Sequence, residues 1–528
     1  MKTQRLAAID IGSNSLKLAI VEAAASDSFT VISHDRERVR LGHETLRTGF
    51  LSDEAIALSV EAITRFKSIA DTREVDAILA VATASVREAK NSTQFVREVQ
   101  KQTGVQVKVL PSLEEARLIG VATSQYFGKG DSSLLNIDIG GGSTEISLME
   151  NGDPKKLFSM KLGAVGLSEK LLNQDPPSKK EIKALRNEIQ FAVDKPRRKT
   201  VGEKWSISTG TSGTILALAS LLNFQSENGL TEKPSINLER LKGLNRMLAK
   251  LSLAERTEIP VINERRAEVI VAGGRILEGV MKAFGIKEIE PCEYALREGV
   301  IIDHLREIET EALPPVPDVA DLKLRDVFAI GRRFGYEESH ALQVAAMAEK
   351  LFDELVPIYD LKRHERTWLS AAALLHDVGY HISHEAHHKH SLYLIKHSEM
   401  TGFSEDEKAI IANIARSHRK AFPKETHIHY TSLEEKEREI VDKLSSILRL
   451  ADGLDRGYES RVKNIKFAKD GKKLTLTLVS DEDCSNEIYA LKMKREMFEK
   501  TFRCELTINQ VGTDGEKLVF AKRKTTLF

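Results

Sequence analysis

Alternating apolar and polar stretches divide the first third of the chain into predicted strands and helices. Residues 6–12 (LAAIDIG) and 16–22 (LKLAIVE) are short apolar runs joined by a Gly/Ser/Asn turn, a pattern typical of two adjacent strands. Residues 53–70 repeat their apolar positions at helical spacing, and Ser52 and Asp53 are candidate caps at the start. The pattern predicts strands over residues 6–12, 16–22, 76–86 and 105–112, and helices over residues 53–70, 87–104 and 113–127. This alternation indicates an α/β fold.

The layout of the first strand pair recurs later in the chain. Residues 134–150 (LLNIDIGGGSTEISLME) resemble residues 6–22 (LAAIDIGSNSLKLAIVE), because each has an apolar run, I-D-I-G, a small polar turn and a second apolar run. This weak internal repeat predicts two halves built on one plan, which we expect to face each other across a cleft. Another turn of small residues lies at 208–215 (STGTSGTI), in the second half.

The pattern changes after residue 310. A proline-containing polar stretch over residues 309–326 is typical of a linker, and the next segment, to about residue 457, is almost wholly helical and rich in histidine. The final segment predicts a hairpin around Asp470 and Gly471, then a helix and two strands, residues 504–510 and 517–524. The predicted domains are two α/β halves around a cleft, an all-helical domain and a small α+β domain, over residues 1–125, 126–310, 320–460 and 462–528.

Composition excludes several classes of protein. Of 528 residues, 41% are apolar and 30% charged, and the formal net charge is zero, so no overall field favours nucleic acid or a membrane surface as a partner. Three scattered cysteines make neither a disulfide framework nor a zinc site, which favours a reducing compartment. No apolar run approaches the roughly 20 residues of a membrane helix. We therefore expect a cytoplasmic protein with neither nucleic acid nor membrane as a partner.

The glycine turns predict a phosphate site. A strand that ends in G-G-G-S-T leaves backbone N–H groups unpaired and open to close approach by a ligand. Asp138 and Glu145 flank this turn, and carboxylates alone would repel phosphate. A hard cation such as Mg²⁺ resolves the conflict, since it binds carboxylate and phosphate oxygens together. Asp10, before the equivalent turn of the first half, is either another acid near the cation or a turn cap. The alternative, that these turns only connect strands, is weakened by their recurrence.

Six ordered segments resemble one known family. They are AIDIGSNSLKL, VATASVREAKN, EEARLIG, NIDIGGGSTE, GTSGTI and ALREGVI, all within about the first 310 residues. The arrangement resembles the superfamily of sugar kinases, actin and heat-shock ATPases, and within it the exopolyphosphatase/guanosine pentaphosphate phosphohydrolase (Ppx/GppA) family. That resemblance implies two actin-like (ribonuclease H-like) halves, a homodimer, and hydrolysis of a terminal phosphoanhydride in inorganic polyphosphate or guanosine pentaphosphate (pppGpp).

The resemblance also implies roles for individual residues. Glu115 matches the general base, with the neighbouring Glu114 as the competing assignment, and Arg87 matches an arginine that contacts phosphate. Asp138 and Glu145, with Asp10, match the acids that hold Mg²⁺. The phosphate cradle would comprise Ser13, Asn14, Gly140, Gly141, Gly142, Ser143, Thr144, Gly210, Ser212 and Gly213. Each has a structural alternative: Glu115 as an exposed helix acid, for example, or Arg87 as a surface partner of Glu88.

The helical segment carries a second candidate site. His340, His376, Asp377 and Asp452 occur in the order H…HD…D on predicted helices, which resembles the HD-type metal phosphohydrolases. Imidazole and carboxylate together suit a divalent transition metal. His390 and His418 are candidates for further ligands. The alternative is an inert domain that lines a polyanion groove, with the basic stretch ARSHRKAFPK (residues 415–424) as either a contact for that anion or a solvated helix end.

The predicted function is exopolyphosphatase, with water activated by Glu115 as the nucleophile. The alternatives are a pppGpp phosphohydrolase that uses the same site, or an additional phosphohydrolase activity in the HD-type domain. A sugar or acetate kinase-like enzyme is disfavoured because the acid of EEARLIG favours water as the nucleophile. A non-catalytic sensor is disfavoured because Glu115, Asp138 and Glu145 are all present.

Overall fold

The computed structural model describes residues 3–128, 133–224, 235–311, 322–514 and 516. The chain divides into two compact units, Met1–Thr310 and Glu311–Phe528. The strands of the first unit are β1 (Gln4–Ile11), β2 (Ser15–Ala25), β3 (Ser28–Arg38), β4 (Ala77–Ala82), β5 (Val107–Val109), β6 (Ser133–Ile139), β7 (Thr144–Glu150), β8 (Asp153–Met160), β9 (Ile207–Thr211), β10 (Ile236–Asn237) and β11 (Glu288–Pro291).

The first unit is a mixed α/β structure, which confirms the predicted fold class. Its helices are α1 (Leu41–Thr48), α2 (Asp53–Thr72), α3 (Ala84–Glu88), α4 (Ser92–Thr103), α5 (Ser112–Phe127), α6 (Ala164–Leu171), α7 (Lys179–Lys199), α8 (Ser212–Phe224), α9 (Leu238–Leu248), α10 (Leu253–Thr257), α11 (Glu264–Ala267), α12 (Ile270–Phe284) and α13 (Leu296–Glu311). Ser52 caps α2 by accepting a hydrogen bond from the backbone N–H of Ala55, as predicted.

Two sheets in this unit repeat one plan. The strand orders are β3-β2-β1-β4-β5 and β10-β11-β9-β6-β7-β8. In each sheet three consecutive strands form an antiparallel meander, and the first of them continues into parallel strands on its other side: β4 and β5 beside β1, and β9 and β11 beside β6. The internal repeat in the sequence therefore corresponds to a repeated sheet.

Strand alternation explains the I-D-I-G motifs. Ile9 and Ile11 of β1 belong to the apolar core beside the first sheet, and Ile137 and Ile139 of β6 belong to the core beside the second. Successive side chains of a strand point to opposite faces, so the aspartate between each isoleucine pair faces away from that core.

One predicted boundary in the first unit is wrong. The strand predicted over residues 76–86 ends at Ala82, and the helix predicted over residues 87–104 is two helices, α3 and α4. Ala89 has extended backbone torsions, which interrupts the helical path between them. The predicted end at Gly104 is confirmed, because this glycine takes the left-handed conformation that closes α4.

The second unit is helical and then ends in a small sheet. Its elements are α14 (Leu322–Arg333), α15 (Glu338–Leu355), α16 (Glu365–Leu375), a 3-10 helix (Val378–His381), α17 (His387–Lys396), α18 (Glu405–Arg416), α19 (Ile428–Thr431), α20 (Glu435–Gly453), β12 (Asn464–Asp470), β13 (Lys473–Val479), α21 (Ser485–Phe502) and β14 (Glu505–Val511). The predicted hairpin is confirmed, with β12 and β13 antiparallel and Gly471 at a positive φ of 57° between them. The strand predicted over residues 517–524 lies outside the described residues. The four predicted domain boundaries stay predictions.

Candidate active site

The two I-D-I-G hairpins place charged side chains opposite each other. Asp10 of β1 pairs in register with Lys17 of β2, and Asp138 of β6 pairs with Glu145 of β7. The repeat thus puts a lysine and a glutamate at equivalent positions of the two sheets. The Lys17 ammonium lies 3.3 Å from the Asp10 carboxylate, so the first hairpin carries an ion pair where the second carries two acids.

A cavity of about 250 Å³ lies at the ends of these hairpins. Its lining includes both glycine turns, the turn at the start of α8 and the acid predicted as the base. The predicted site residues that line it are Asp10, Ser13, Asn14, Glu115, Asp138, Gly140, Gly141, Gly142, Ser143, Ser212 and Gly213. The fold therefore brings together predicted site residues from four separate segments of the first unit.

The two turns approach each other closely. A Cβ atom added to Gly141 would lie 3.1 Å from the Cβ of Ser13, and one added to Gly142 would lie 3.0 Å from the Ser13 hydroxyl oxygen. Larger residues at these two positions would therefore press on the facing turn. The glycines keep the turns close and leave backbone N–H groups open to an anion.

Glu115 and Glu114 lie in different surroundings, which separates the two candidates for the base. Glu114 is held by the buried guanidinium of Arg117, which also pairs with Asp303. Glu115 lines the cavity and accepts a 2.7 Å hydrogen bond from Nη1 of Arg87. Burial raises the pKa of Glu115 to about 7, against the lowering effect of Arg87. The geometry favours Glu115 as the group that exchanges a proton.

Arg87 contacts Glu115, which lines the cavity, and is not itself part of the lining. Its Nη1 also donates to the backbone oxygen of Leu110 at 3.0 Å, and the side chain is mostly buried. The predicted direct contact with phosphate stays a prediction.

Asp138 lines the cavity, whereas Glu145, its partner in register on β7, is buried beside it and does not line the cavity. Asp138 accepts a 2.6 Å hydrogen bond from the hydroxyl of Thr211, and Glu145 accepts one of 2.7 Å from Ser159. Burial raises the pKa of Asp138, although Thr211 lowers it. Burial, and then the charges of Glu115 and Asp138, raise the pKa of Glu145 well above its usual range.

These acids fit a divalent cation. Asp10, Glu115, Asp138 and Glu145 are all buried, and Oε2 of Glu145 has no hydrogen-bond partner among the described residues. Buried carboxylates that repel one another are stabilised by a shared cation, and oxygen donors of this kind suit Mg²⁺. The donor set thus agrees with the predicted cofactor.

Four cationic side chains of the cavity were missed by the sequence interpretation. They are Lys17, Arg36, Arg266 and Arg297. Burial is the main cause that lowers the pKa of Arg266 to about 10, and the nearby charge of Arg36 lowers it further. Lys17 could have been found from its register opposite Asp10. Arg297 of α13 lies in the segment ALREGVI, which carried the family resemblance without a role for this residue. Arg36 of β3 and Arg266 of α11 lie outside the six segments.

Three residues predicted to bind phosphate make contacts within the protein instead. The hydroxyl of Thr144 donates to the backbone oxygen of Leu162, and Thr144 does not line the cavity. Gly210 lies behind the turn, where an added Cβ would be 2.8 Å from Cδ1 of Ile215. Ser212 lines the cavity, but its hydroxyl donates to the backbone oxygen of Ile139 at 2.7 Å. Its φ of +75° is a strained conformation for a residue other than glycine.

The second unit brings His376 and Asp377 together with other histidines. Asp377 Oδ2 lies 3.4 Å from Nε2 of His376, and its Oδ1 lies 3.0 Å from Nε2 of His387 and 3.5 Å from Nε2 of His418. Burial alone would raise the pKa of Asp377, but the nearby imidazoles lower it well below its usual range. Two groups could hold a metal ion: His340 with His376 and Asp377, and Asp377 with His387 and His418.

His340 and Asp452, the other two residues of the predicted H…HD…D set, lie farther apart than His376 and Asp377 do. Nδ1 of His340 lies 2.8 Å from Asp455, and its Nε2 is buried without a hydrogen bond, 4.0 Å from Oδ1 of Asp452. The other oxygen of Asp452 pairs with the ammonium of Lys494. One carboxylate oxygen of Asp452 therefore remains directed toward His340.

The structure adds a candidate to the further ligands predicted in this unit. His418 lies with His387 in one of the two groups that could hold a metal ion, and His390 lies in neither. His387 and His390 are both on α17, and residues three apart are neighbours on a helix surface, so spacing alone does not choose between them. The assignment of His390 and His418 as metal ligands stays a prediction, and His387 is a further candidate.

In the part of the chain that the structure describes, no helix is long and apolar enough to cross a bilayer. Cys292, Cys484 and Cys504 are unpaired thiols, as expected from their spacing.

Comparison with known proteins agrees with this geometry. The model of the Ppx/GppA phosphatase family matches residues 3–308, and that of the Ppx/GppA phosphatase, domain III, matches residues 322–497. The chain is 33% identical over 311 residues to a Mycobacterium leprae protein named exopolyphosphatase 1, covering 58% of this chain and 91% of that protein. A Photobacterium profundum protein named guanosine-5'-triphosphate,3'-diphosphate pyrophosphatase is 26% identical over 496 residues, covering 94% of this chain and 96% of that protein.

A solved structure also resembles part of the chain. The crystal structure of the Aquifex aeolicus member of the Ppx/GppA family has a TM-score of 0.50 and 26% identity, and it covers 59% of this chain and 100% of its own. The resemblance drawn from the six motifs is confirmed.

Proposed function

The chain belongs to the Ppx/GppA phosphatase family, and we propose that its first unit is an exopolyphosphatase that releases the terminal phosphate of inorganic polyphosphate. The observation that carries this proposal is the position of Glu115, a buried carboxyl with a pKa of about 7, in the lining of a cavity that also contains two glycine turns. A base with a pKa near the working pH is well suited to take a proton from water.

The reaction is a hydrolysis by direct attack of water. Glu115 accepts one proton from water as the water oxygen bonds to the terminal phosphorus. The bond between that phosphorus and its bridging oxygen breaks, and the bridging oxygen keeps the electron pair on the shortened chain. Arg87 holds the Glu115 carboxylate in place through the 2.7 Å hydrogen bond and favours its ionised form.

The anionic substrate is bound by groups from both sheets. Backbone N–H groups of Gly141 and Gly142, with the hydroxyls of Ser13 and Ser143, are suited to the terminal phosphoryl oxygens. The N–H of Gly140 closes the turn instead, by donating to the backbone oxygen of Ser143 at 2.9 Å. The four cations that line the cavity, Lys17, Arg36, Arg266 and Arg297, offset the charge of the remaining chain. Asp138 and Glu145, with Asp10, would hold Mg²⁺, which when bound neutralises charge on the phosphoryl oxygens.

A second candidate, hydrolysis of pppGpp at the same site, is favoured by one observation. The relative named guanosine-5'-triphosphate,3'-diphosphate pyrophosphatase matches 94% of this chain, whereas the exopolyphosphatase 1 relative matches 58%. The match to the nucleotide-cleaving relative therefore extends well beyond the length of the first unit. Both reactions use the same base and the same bond cleavage.

The test is phosphate release by the purified full chain with Mg²⁺ and one of three substrates: polyphosphate, pppGpp or ATP. The proposal expects release from polyphosphate, with a higher kcat/KM than for pppGpp. A higher kcat/KM for pppGpp would favour the second candidate, and no release from either of the first two would contradict both. Omission of Mg²⁺ and addition of a chelator should abolish release.

We also propose that His340, His376, Asp377 and Asp452 of the second unit hold a divalent transition metal. The buried Nε2 atoms of His340 and His376, which have no hydrogen-bond partner among the described residues, support this. Metal content of the full chain measured by plasma mass spectrometry should fall in a His376→Ala, Asp377→Ala variant and stay unchanged in His390→Ala. Equal metal content in all three proteins would contradict the proposal. An additional phosphohydrolase activity of the second unit would require this metal. We therefore expect that activity to be lost in the His376→Ala, Asp377→Ala variant.

The homodimer stays a prediction that rests on the family resemblance. The cytoplasmic location stays a prediction that rests on the unpaired cysteines. Light scattering of the purified chain measures the first, and fractionation of the source cells measures the second.

A further inference from the structure

A second cavity lies in the second unit, beside the cluster formed by His340, His376, Asp377, His387 and His418, which we call the His/Asp cluster. Its volume is about 600 Å³, and it is lined by residues of the 3-10 helix, α17, α20 and α21 and of the segments that follow α18 and α20. Asp377 and His418 of the cluster line it. Nothing in the proposed polyphosphatase reaction uses this space.

The cavity has an excess of positive charge. Five cationic side chains line it, against the two carboxylates Asp377 and Asp452: Arg419, Lys420, Arg449, Arg456 and Lys494. A cavity with this balance suits a ligand that carries several negative charges, such as a phosphorylated compound.

Two of the five cations remain available to a ligand. Lys494 pairs with Asp452, and Arg449 donates to the backbone oxygens of Ser417 and Lys420. Nη1 of Arg419 lies 3.3 Å from the ring nitrogens of His387. No carboxylate is found within ion-pair distance of the side chains of Arg456 and Lys420 among the described residues, and both residues are exposed.

Aromatic surface lines the same cavity. Tyr489 is 67% exposed, Met493 68% and Tyr458 45%, and all three line the cavity together with Tyr380. The Tyr458 ring stacks on the imidazole of His340 with centroids 3.9 Å apart, which fixes the position of that ring. Exposed rings of this kind are costly to solvate, and they offer flat faces for a planar group.

These features come from two parts of the second unit. Arg419 and Lys420 follow α18, whereas Tyr489 and Met493 lie on α21, beyond the hairpin formed by β12 and β13. The C-terminal helix thereby supplies one wall of a cavity whose other walls carry the His/Asp cluster.

We propose that this cavity binds a nucleoside phosphate, with the phosphates on Arg456 and Lys420 and the base against Tyr489. Polyphosphate alone would use the cations and would leave the aromatic surface without a function. A nucleotide uses both, since bases stack on aromatic side chains and phosphates pair with guanidinium groups. The site is separate from the cleft of the first unit, so the proposal does not depend on the polyphosphatase reaction.

The test uses isothermal titration calorimetry on the full chain with two matched probes. One is the α,β-methylene analogue of GDP, whose bridging carbon resists hydrolysis, and the other is methylenediphosphonate, which has the same phosphonate groups and no nucleoside. The nucleotide analogue should bind at least tenfold more tightly, which is about 1.4 kcal/mol at 25 °C. Equal affinities would contradict a nucleotide site.

Paired variants assign the binding to this cavity. Tyr489→Leu should weaken binding of the analogue at one site about tenfold, and Tyr489→Phe should retain it because the ring remains. Arg456→Ala should also weaken it, whereas Lys492→Ala removes an exposed cation of α21 that does not line the cavity and should have no effect. Tyr489 is largely exposed, so its replacement leaves the core intact.

Besides equal affinities of the two probes, two further results would overturn the proposal. One is the absence of any binding of the analogue at millimolar concentration. The other is binding that is the same in Tyr489→Leu and in the unmodified chain, whether or not Arg456→Ala weakens it, because the ring would then have no part in recognition. Both measurements are of binding alone, so a failed phosphate-release assay would leave them unaffected.

Discussion

Arg87 donates a hydrogen bond of 2.7 Å to Glu115, joining α3 to the start of α5 at the edge of the active-site cavity. This contact places a permanently charged guanidinium next to a carboxyl whose pKa burial raises to about 7. The proposed base, Glu115, is therefore partly ionised near neutral pH, and the charge of Arg87 favours its ionised form.

Glu115→Gln should abolish turnover while the chain still binds its substrate. The amide keeps the size of the side chain and an oxygen that accepts from Arg87, but it does not take a proton from water. Loss of a general base lowers kcat by roughly 10²–10⁴-fold. Phosphate release and polyphosphate binding are measured on the same preparation.

Glu114→Gln is the matched control for that variant. Glu114 is held in the ion pair with Arg117 away from the cavity, so its replacement should lower the melting temperature and leave kcat of the folded protein nearly unchanged. If Glu114→Gln lost turnover and Glu115→Gln retained it, the assignment of the base would be reversed.

Arg87→Gln should move the pH profile of kcat/KM to higher pH. Arg87 lowers the pKa of Glu115, so removal of its charge raises that pKa above about 7. The base works when ionised, and activity should therefore rise with pH at a higher pH than in the unmodified enzyme. A profile that keeps its midpoint while kcat falls at every pH would indicate that Arg87 contacts phosphate directly and has little influence on Glu115.

Local sequence pattern predicted the acids of the site better than its cations. Strand alternation within I-D-I-G is enough to place Asp10 and Asp138 on the face opposite the core. Arg36 and Arg266 lie in segments with no such repeat, and only the packing of β3 and α11 around the cleft brings them together. Local pattern carries no information about such distant neighbours.

For the fold as well, features that depend on local pattern were predicted and one that does not was missed. Alternation and helical spacing identified the strand pairs and α5, because these features depend on burial within the element itself. The break between α3 and α4 was missed, because it depends on the extended backbone of Ala89 and not on hydrophobic periodicity.

Binding of Mg²⁺ should release protons and strengthen with pH. Burial raises the pKa of Glu115 to about 7, raises that of Asp138, and raises that of Glu145 well above its usual range, so the metal-free site holds protons that the cation displaces. The apparent affinity for Mg²⁺ should increase between pH 6 and pH 8 by about tenfold per pH unit for each proton released.

Calorimetry in two buffers of different ionisation enthalpy measures that proton release. Glu145→Gln should release fewer protons and bind Mg²⁺ more weakly, because the amide has no proton to lose and carries no charge. An affinity that is constant between pH 6 and pH 8 would show that these carboxyls are already ionised without the metal.

Two glycines of one turn should respond differently to the same substitution. In Gly213→Ala the new Cβ would lie 1.7 Å from Nη2 of Arg266, so the flexible guanidinium must leave its place in the cavity. We expect KM for polyphosphate to rise several-fold with little change in melting temperature. In Gly210→Ala the Cβ would press on the buried side chain of Ile215 at 2.8 Å, which we expect to lower the free energy of unfolding by about 1–3 kcal/mol and to leave KM unchanged. Steady-state kinetics and thermal unfolding of both variants separate the two effects, and a KM change in Gly210→Ala alone would show that the cradle is formed by the other end of the turn.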